Sequence, residues 1–290
     1  MTAPMILRAR VAAPVKDVWH ALTDADSLRI WLAEYAEVDL PHRYEFWGRY
    51  TPDGSAPHQR VLDVGEYTLR LAWEIEGVET TTEISLAEDG EATVVTLSQS
   101  HFDFSDVITG ASIRGALQTY WALAIANLAD HVVGRPLTPK CDYVGTELAG
   151  EVTIGGSAAA VFDSLIDSDQ VSQWFGFPVG IEPYVGGRFA MGGLDNNPQP
   201  AKIIDLEPGR RLSIDWGAGP GISTWELSES GGATRLTFVQ SGFDNPPYAA
   251  WGGILSGIAE LRRFHELADW RPVWLADAAD STGQSEAVKA

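Results

Sequence analysis

Val11-Ala-Ala-Pro-Val-Lys-Asp-Val-Trp-His-Ala-Leu-Thr-Asp-Ala-Asp-Ser-Leu-Arg-Ile-Trp31 returns without a gap as Ile154-Gly-Gly-Ser-Ala-Ala-Ala-Val-Phe-Asp-Ser-Leu-Ile-Asp-Ser-Asp-Gln-Val-Ser-Gln-Trp174. In both copies a strand end (Val11, Ile154) runs into a helix start. Pro14 suits a first helical position, where its missing N–H costs nothing, and Ser157 suits an N-cap. A short amphipathic helix follows (Val18, Trp19, Leu22; Val161, Phe162, Leu165), then an Asp-rich corner and a second short helix closing on Trp. A repeat at domain length implies two separate cores, each of a size that folds on its own. The chain therefore divides into a first domain over 1–138, a second over 146–275 and a small, polar, aperiodic tail over 276–290, read as disordered.

Outward from the repeated stretch, Met5 to Val11 alternates apolar and polar residues as a half-buried strand does. Strands are expected at Tyr44–Tyr50, His58–Val64, Tyr67–Ile75, Thr80–Leu86 and Ala92–Ser100, separated by Gly, Pro and Asp turn signals. From Ser112 to Val133 the period becomes helical. After a Pro-rich linker (Gly134 to Gly145) the plan repeats. Strands are expected at Leu148–Ile154, Arg188–Met191, Ala201–Leu206, Arg211–Trp216, Ile222–Leu227 and Thr234–Ser241, and a last helix at Ala249–Leu267. The fold class is α+β: two tandem helix-grip domains, each a curved antiparallel sheet wrapped around a long C-terminal helix. The space between sheet and helix is the natural pocket.

The order of elements, the corner running from Asp24 to Trp31 and from Asp167 to Trp174, the run Pro208 to Trp216 and the strand exit Gln240 to Phe243 resemble the START and birch-pollen-allergen superfamily. Within it they are most similar to the domains related to the activator of the ninety-kilodalton heat-shock protein's ATPase. The resemblance covers nearly the whole chain to Leu267, twice. It implies the fold directly. For function it implies a cavity for a hydrophobic molecule, with co-chaperone work on a chaperone partner, or enzymatic action on an apolar substrate, as the alternatives. Many members of that superfamily carry His where both copies here carry Gln (Gln99, Gln240), which removes a general base.

Acidic residues number 40 against 20 Lys and Arg, a net charge of −20. The deficit is shared by both halves and opposes nucleic acid and anionic membranes, which need clustered Lys and Arg; it reads first as solubility. Cys141 is the only cysteine, so no intrachain disulfide forms. No basic leader followed by an apolar run, and no window long enough to span a membrane, is visible. The cytoplasm is the expected location.

Strand alternation selects the inner face. Val95, Leu97 and Gln99 point inward in the first domain, and Leu236, Phe238 and Gln240 in the second. A buried amide needs partners, either neighbouring protein groups or the polar end of a ligand. Tyr44, Phe46, Trp73 and Trp121 join the inner set of domain one; Trp174, Phe189, Met191, Trp216, Trp225 and Trp251 join that of domain two. Large aromatics serve equally as core or as the lining of a site for a flat apolar ligand. No catalytic constellation emerges. The histidines lack metal-ligand spacing, His101 is the best acid–base candidate with Glu45 facing outward, and no metal or cofactor is implied. Gly217 to Gly221 reads as a hairpin loop, since no helix follows it to cradle a phosphate. Gly186-Gly187 and Gly252-Gly253 are small where domain one has bulkier residues, so the larger pocket is expected in domain two.

Overall fold

The protein is described here by a computed structural model covering residues 4–100, 113–217 and 219–276. Both copies of the repeated stretch fold alike. β1 (Met5–Val11) leads into α1 (Val15–Thr23) and α2 (Ala25–Trp31). β8 (Leu148–Gly155) leads into α4 (Ala158–Ile166) and α5 (Ser168–Phe175). The Asp corner is a helix cap in both: Asp24 accepts the Ser27 N–H at 2.8 Å and Asp167 the Gln170 N–H at 2.9 Å, each satisfying a donor that a first helical turn leaves free. The closing tryptophan then reaches back to the preceding helix. Trp31 Nε1 donates to the Ala21 carbonyl at 3.0 Å and Trp174 Nε1 to that of Ser164 at 2.7 Å. Ser157 caps α4 through the Ala160 N–H, but Pro14 is itself the cap residue, with extended ψ, and the helix begins at Val15.

In domain one, β2 (Tyr35–Asp39) and β3 (Arg43–Trp47) form a small ribbon. β4 (Gln59–Val64), β5 (Thr68–Ile75), β6 (Val78–Asp89) and β7 (Ala92–Gln99) make an antiparallel meander, followed by a 3-10 turn (Ile113–Ala116) and α3 (Leu117–Val132). Domain two repeats this with β9 (Val179–Ile181), β10 (Arg188–Met191), β11 (Ala201–Glu207), β12 (Arg211–Asp215), β13 (Ile222–Ser230), β14 (Ala233–Ser241) and α6 (Tyr248–Glu266). β2 and β9 are not among the strands expected from sequence; β9 has only three residues at the edge of its sheet, and β2 pairs with β3 alone. The register slips at the same step in each copy, between Val61 and Asp63 and between Ile203 and Asp205. These bulges bend the sheet toward the helix and turn Leu62 and Ile204 out to solvent.

The chain's last described strand corrects the expected layout. β15 (Trp274–Ala276) pairs antiparallel with β1, Ile6 opposite Ala276, so this segment completes the first sheet and Ala276 belongs to a strand rather than to the tail. The two long helices pack on each other. Asp130 of α3 accepts from Arg262 of α6, both buried, and Arg135 bridges Asp130 and Glu266. α3 is consequently buried on almost every side, by the sheet on one and α6 on the other. The linker is clamped along domain one. Asn127 exchanges two 3.0 Å bonds with the Thr138 backbone, Lys140 Nζ donates to the carbonyls of Arg29 and Ala33, and the Tyr143 N–H donates to the Arg49 carbonyl at 2.8 Å.

The paired glycines of the second domain do not open a pocket. A Cβ on Gly252 would lie 2.8 Å from Thr119 Oγ1, and one on Gly253 3.7 Å from Thr119 Cγ2. These glycines admit α3 of the neighbouring domain rather than a ligand. Gly187 serves a tight turn, where a Cβ would stand 2.1 Å from the Glu182 carbonyl oxygen.

Candidate functional site

At one end of the second sheet three connections follow β10, β12 and β14, the last of them leading into α6. These are 192–200, the β12–β13 hairpin turn and 242–247. Phe189 and Trp216 meet there edge to face, ring centroids 5.5 Å apart. Met191 and Trp216 are half-buried, and Phe177, beside Gly192, is exposed. Deeper in, Phe238 and Trp251 pack at 5.6 Å, with Trp225 opposite Phe238 across the β13–β14 ladder. The Phe238 ring lies over Gly150, where any Cβ would clash at 2.5 Å. Trp174 stands apart from these two pairs, its ring against Gly257 and Phe175.

In domain one the predicted residues come together as one cluster. Phe46 lies 5.2 Å from Trp73 and 6.2 Å from both Tyr44 and Trp121. The Tyr44 hydroxyl donates to the Leu22 carbonyl at 2.9 Å, and burial pushes its pKa far up. All four are essentially inaccessible, so this interior is closed where that of domain two is partly open.

The two inward glutamines are engaged by the protein itself. Gln99 Oε1 accepts from Thr82 Oγ1 at 2.7 Å and Trp121 Nε1 at 3.2 Å, while its amide donates to the Ser100 carbonyl. Gln240 Oε1 accepts from Ser223 Oγ, which in turn accepts from Trp216 Nε1 at 2.7 Å, and its amide donates to the Pro220 carbonyl. Thr82 and Ser223 occupy the same register opposite the glutamine, so one hydrogen-bond device is built twice. Glu45 faces outward toward Arg43 at 3.5 Å. His101 lies outside the described residues.

The volumes fall elsewhere than expected. A polar depression of about 260 Å³ lies on the outer face of the second sheet, among Arg210, Glu226, Ser228, Arg235 and Thr237. A void of about 10 Å³ lies in domain one between α2, α3 and the linker, lined by Tyr50, Tyr120, Asn127, Lys140 and Cys141 among others. Neither lies between sheet and helix of domain two. Sequence reading missed a group beside that void: Thr51, Tyr120 and Tyr143. Tyr120 falls within the helix expected over Ser112–Val133, where helical period alone does not single it out, while Thr51 and Tyr143 sit in a turn and a linker, where no periodicity marks them. Among the described residues no His, Cys, Asp and Glu side chains gather as a metal site, and no helix is long and apolar enough to cross a membrane.

A curved antiparallel sheet closing on a C-terminal helix, made twice, defines a tandem helix-grip protein of the START-like superfamily. The chain belongs to the family described as activator of Hsp90 ATPase homolog 1-like protein, whose model matches residues 12–132 and again 156–260. Among solved structures it is similar to DynU16, from the dynemicin biosynthetic locus, at 16% identity over 91% of this chain and 100% of that one, with a TM-score of 0.37. It is also similar to CalU16 from Micromonospora echinospora (26% identity, 45% of this chain and 74% of that one, TM-score 0.35). A third is a conserved protein of unknown function from Enterococcus faecalis (22% identity, 43% and 74%, TM-score 0.37). No curated protein matches the chain.

Proposed function

We propose that the protein binds a small hydrophobic molecule, without catalysis of its own, at the open end of domain two. The fold belongs to a class that commonly binds such ligands. The observation that carries the reading is the partly uncovered end there: half-buried Met191 and Trp216, the latter packed edge to face on buried Phe189, with exposed Phe177 beside Gly192. Contiguous apolar surface left in water is unfavourable by roughly 25 cal/mol for each Å², and a flat apolar ligand would cover it. Met191, unbranched and with three rotatable bonds, is suited to mould itself against a ligand that extends toward Trp225, Phe238 and Trp251. Trp174 and Gln240 would support the wall, each already held by its own hydrogen bond.

The test is titration with N-phenyl-1-naphthylamine, a neutral dye that brightens in apolar surroundings. Saturable binding is expected, weakened at least tenfold by Trp216→Ala and by Met191→Ala while both variants keep their circular dichroism. Absent binding, or binding that both variants leave intact, would reject the reading.

A further inference from the structure

β8 closes the second sheet on one side and has β14 as its only strand neighbour among the described residues. The Gly155 N–H points away from β14, since Glu266 Oε1 accepts it at 2.9 Å. Two-residue alternation turns the backbone N–H and C=O of Thr153, Glu151 and Ala149 the same way, toward the open side. All three residues are exposed. Folds commonly blunt such an edge with a bulge, a proline, a lysine or a very short strand. The register of β8 on β14 is unbroken from Leu148 to Gly155, and the strand holds neither proline nor lysine. The other edges of the two large sheets are protected: β15 and β9 have three residues each, and β4 carries a bulge.

The first domain shows what such an edge holds. Its β1 is the counterpart of β8 in the repeat, Ile6 and Arg8 corresponding to Ala149 and Glu151, and there β15 pairs antiparallel, Ala276 opposite Ile6 and Trp274 opposite Arg8. Trp274 follows the end of α6 by the same number of residues as Lys140 follows the end of α3, yet Lys140 donates to the carbonyls of Arg29 and Ala33 in domain one. The segment that would cover β8 is thus drawn away, and the edge stays open. Charge selects the occupant. Glu147 and Glu151 are exposed along the edge, Arg235 stands 3.8 Å from Glu151 with both side chains more than half in solvent, and the whole chain carries −20. We propose that the β8 edge binds an extended, lysine- or arginine-bearing segment of a partner protein as an added antiparallel strand, its basic side chains lying beside Glu151 on the outer face. Residues of that strand opposite Ala149, Glu151 and Thr153 turn their side chains to the outer face and their N–H groups to β8. Glu266, by taking the Gly155 N–H, sets where the added strand stops. The surface is separate from the aromatic end of domain two and stands whether or not that end takes a ligand.

Fluorescence anisotropy with the full chain and labelled, end-blocked peptides tests this at physiological ionic strength. One probe alternates threonine with lysine, the other threonine with glutamate. The lysine peptide is expected to bind saturably and at least tenfold more tightly than the glutamate peptide, and Glu151→Lys should weaken it at least fivefold. Backbone N-methylation separates strand pairing from charge attraction, because it leaves the charge intact. Methyl groups on the backbone nitrogens of the lysines, which face β8, should abolish binding, whereas methyl groups on those of the threonines, which face away, should leave it within about twofold. Thr153→Pro removes one outward donor at a position where an edge strand tolerates proline, and should weaken binding at least fivefold with circular dichroism unchanged. No binding of the lysine peptide, equal affinity for the two peptides, equal effects of the two methylations, or affinity untouched by Glu151→Lys would each overturn the proposal. Self-association of the unliganded chain that Thr153→Pro abolishes would assign the edge to a second copy instead and overturn it as well.

Discussion

The ion pair between the long helices offers a sharp test of how the two domains are joined. Asp130 and Arg262 each expose 2% of their side chains. Arg135 approaches the same carboxylate at 3.1 Å but keeps 22% of its side chain in solvent. Asp130→Ala leaves Arg262 in the interface with neither counter-ion nor water, a situation that costs about 3–5 kcal/mol. Arg135→Ala removes a charge that solvent already reaches, at a cost of about 1 kcal/mol or less. With a urea slope of about 3 kcal/mol/M, the first change lowers the unfolding midpoint by about 1–1.7 M and the second by less than about 0.5 M. Asp130→Leu combined with Arg262→Met exchanges the pair for apolar packing and should return to within about 1 kcal/mol of the parent. Urea titration followed by both tryptophan fluorescence and circular dichroism measures all three, and Asp130→Ala should separate the two signals as the domains lose their common transition. Equal losses in Asp130→Ala and Arg135→Ala, or a double variant as weak as the single one, would refute this reasoning.

The repeated Asp–Trp corner predicts matched losses in the two domains. Trp31→Phe and Trp174→Phe each strip the partner from a buried carbonyl, and thermal melts should show similar destabilisation, about 1–3 kcal/mol apiece; a negligible effect in either copy would show that the bond is not structural there. Cys141 is buried and its thiol is pushed up to about 12, chiefly by burial. At pH 8 the thiolate fraction is then about three orders of magnitude below that of an ordinary cysteine, so alkylation by iodoacetamide should be slow in buffer and fast in urea; equal rates would place the thiol in solvent. Because the fold raises this pKa, the stability it contributes is complete below about pH 8.5, where the unfolded thiol is still protonated, and is lost as the pH climbs toward 12.

Local chemistry was legible residue by residue. The cap at Ser157 was legible because its side chain satisfies an N–H of the next helical turn, whereas Asp24 and Asp167, read only as an Asp-rich corner, proved to cap the second short helix of each copy. The inward set of each meander follows from the two-residue period of a strand, and Gln99 and Gln240 lie inside as alternation requires. A repeated stretch at domain spacing was enough for two copies of one fold, but not for two separate cores: the buried residues of both copies join through the long helices into one cluster.

Tertiary contact decided what no local pattern encodes. Ala122, Ala126 and Asp130 share the face of α3 that carries Thr119 and are buried, because α6 from the other domain covers that face. Gly252 reads as open space in sequence and is filled by Thr119 in three dimensions. Trp274–Ala276 pairs with β1, a partner at the far end of the chain that only the folded geometry brings within hydrogen-bonding reach. Tyr143 carries no periodic signal, since a linker has none, and its place on Tyr120 follows from how the chain must pass from one domain to the other. Periodicity reports which face of an element turns inward; which element arrives to cover it is a property of the whole packed chain.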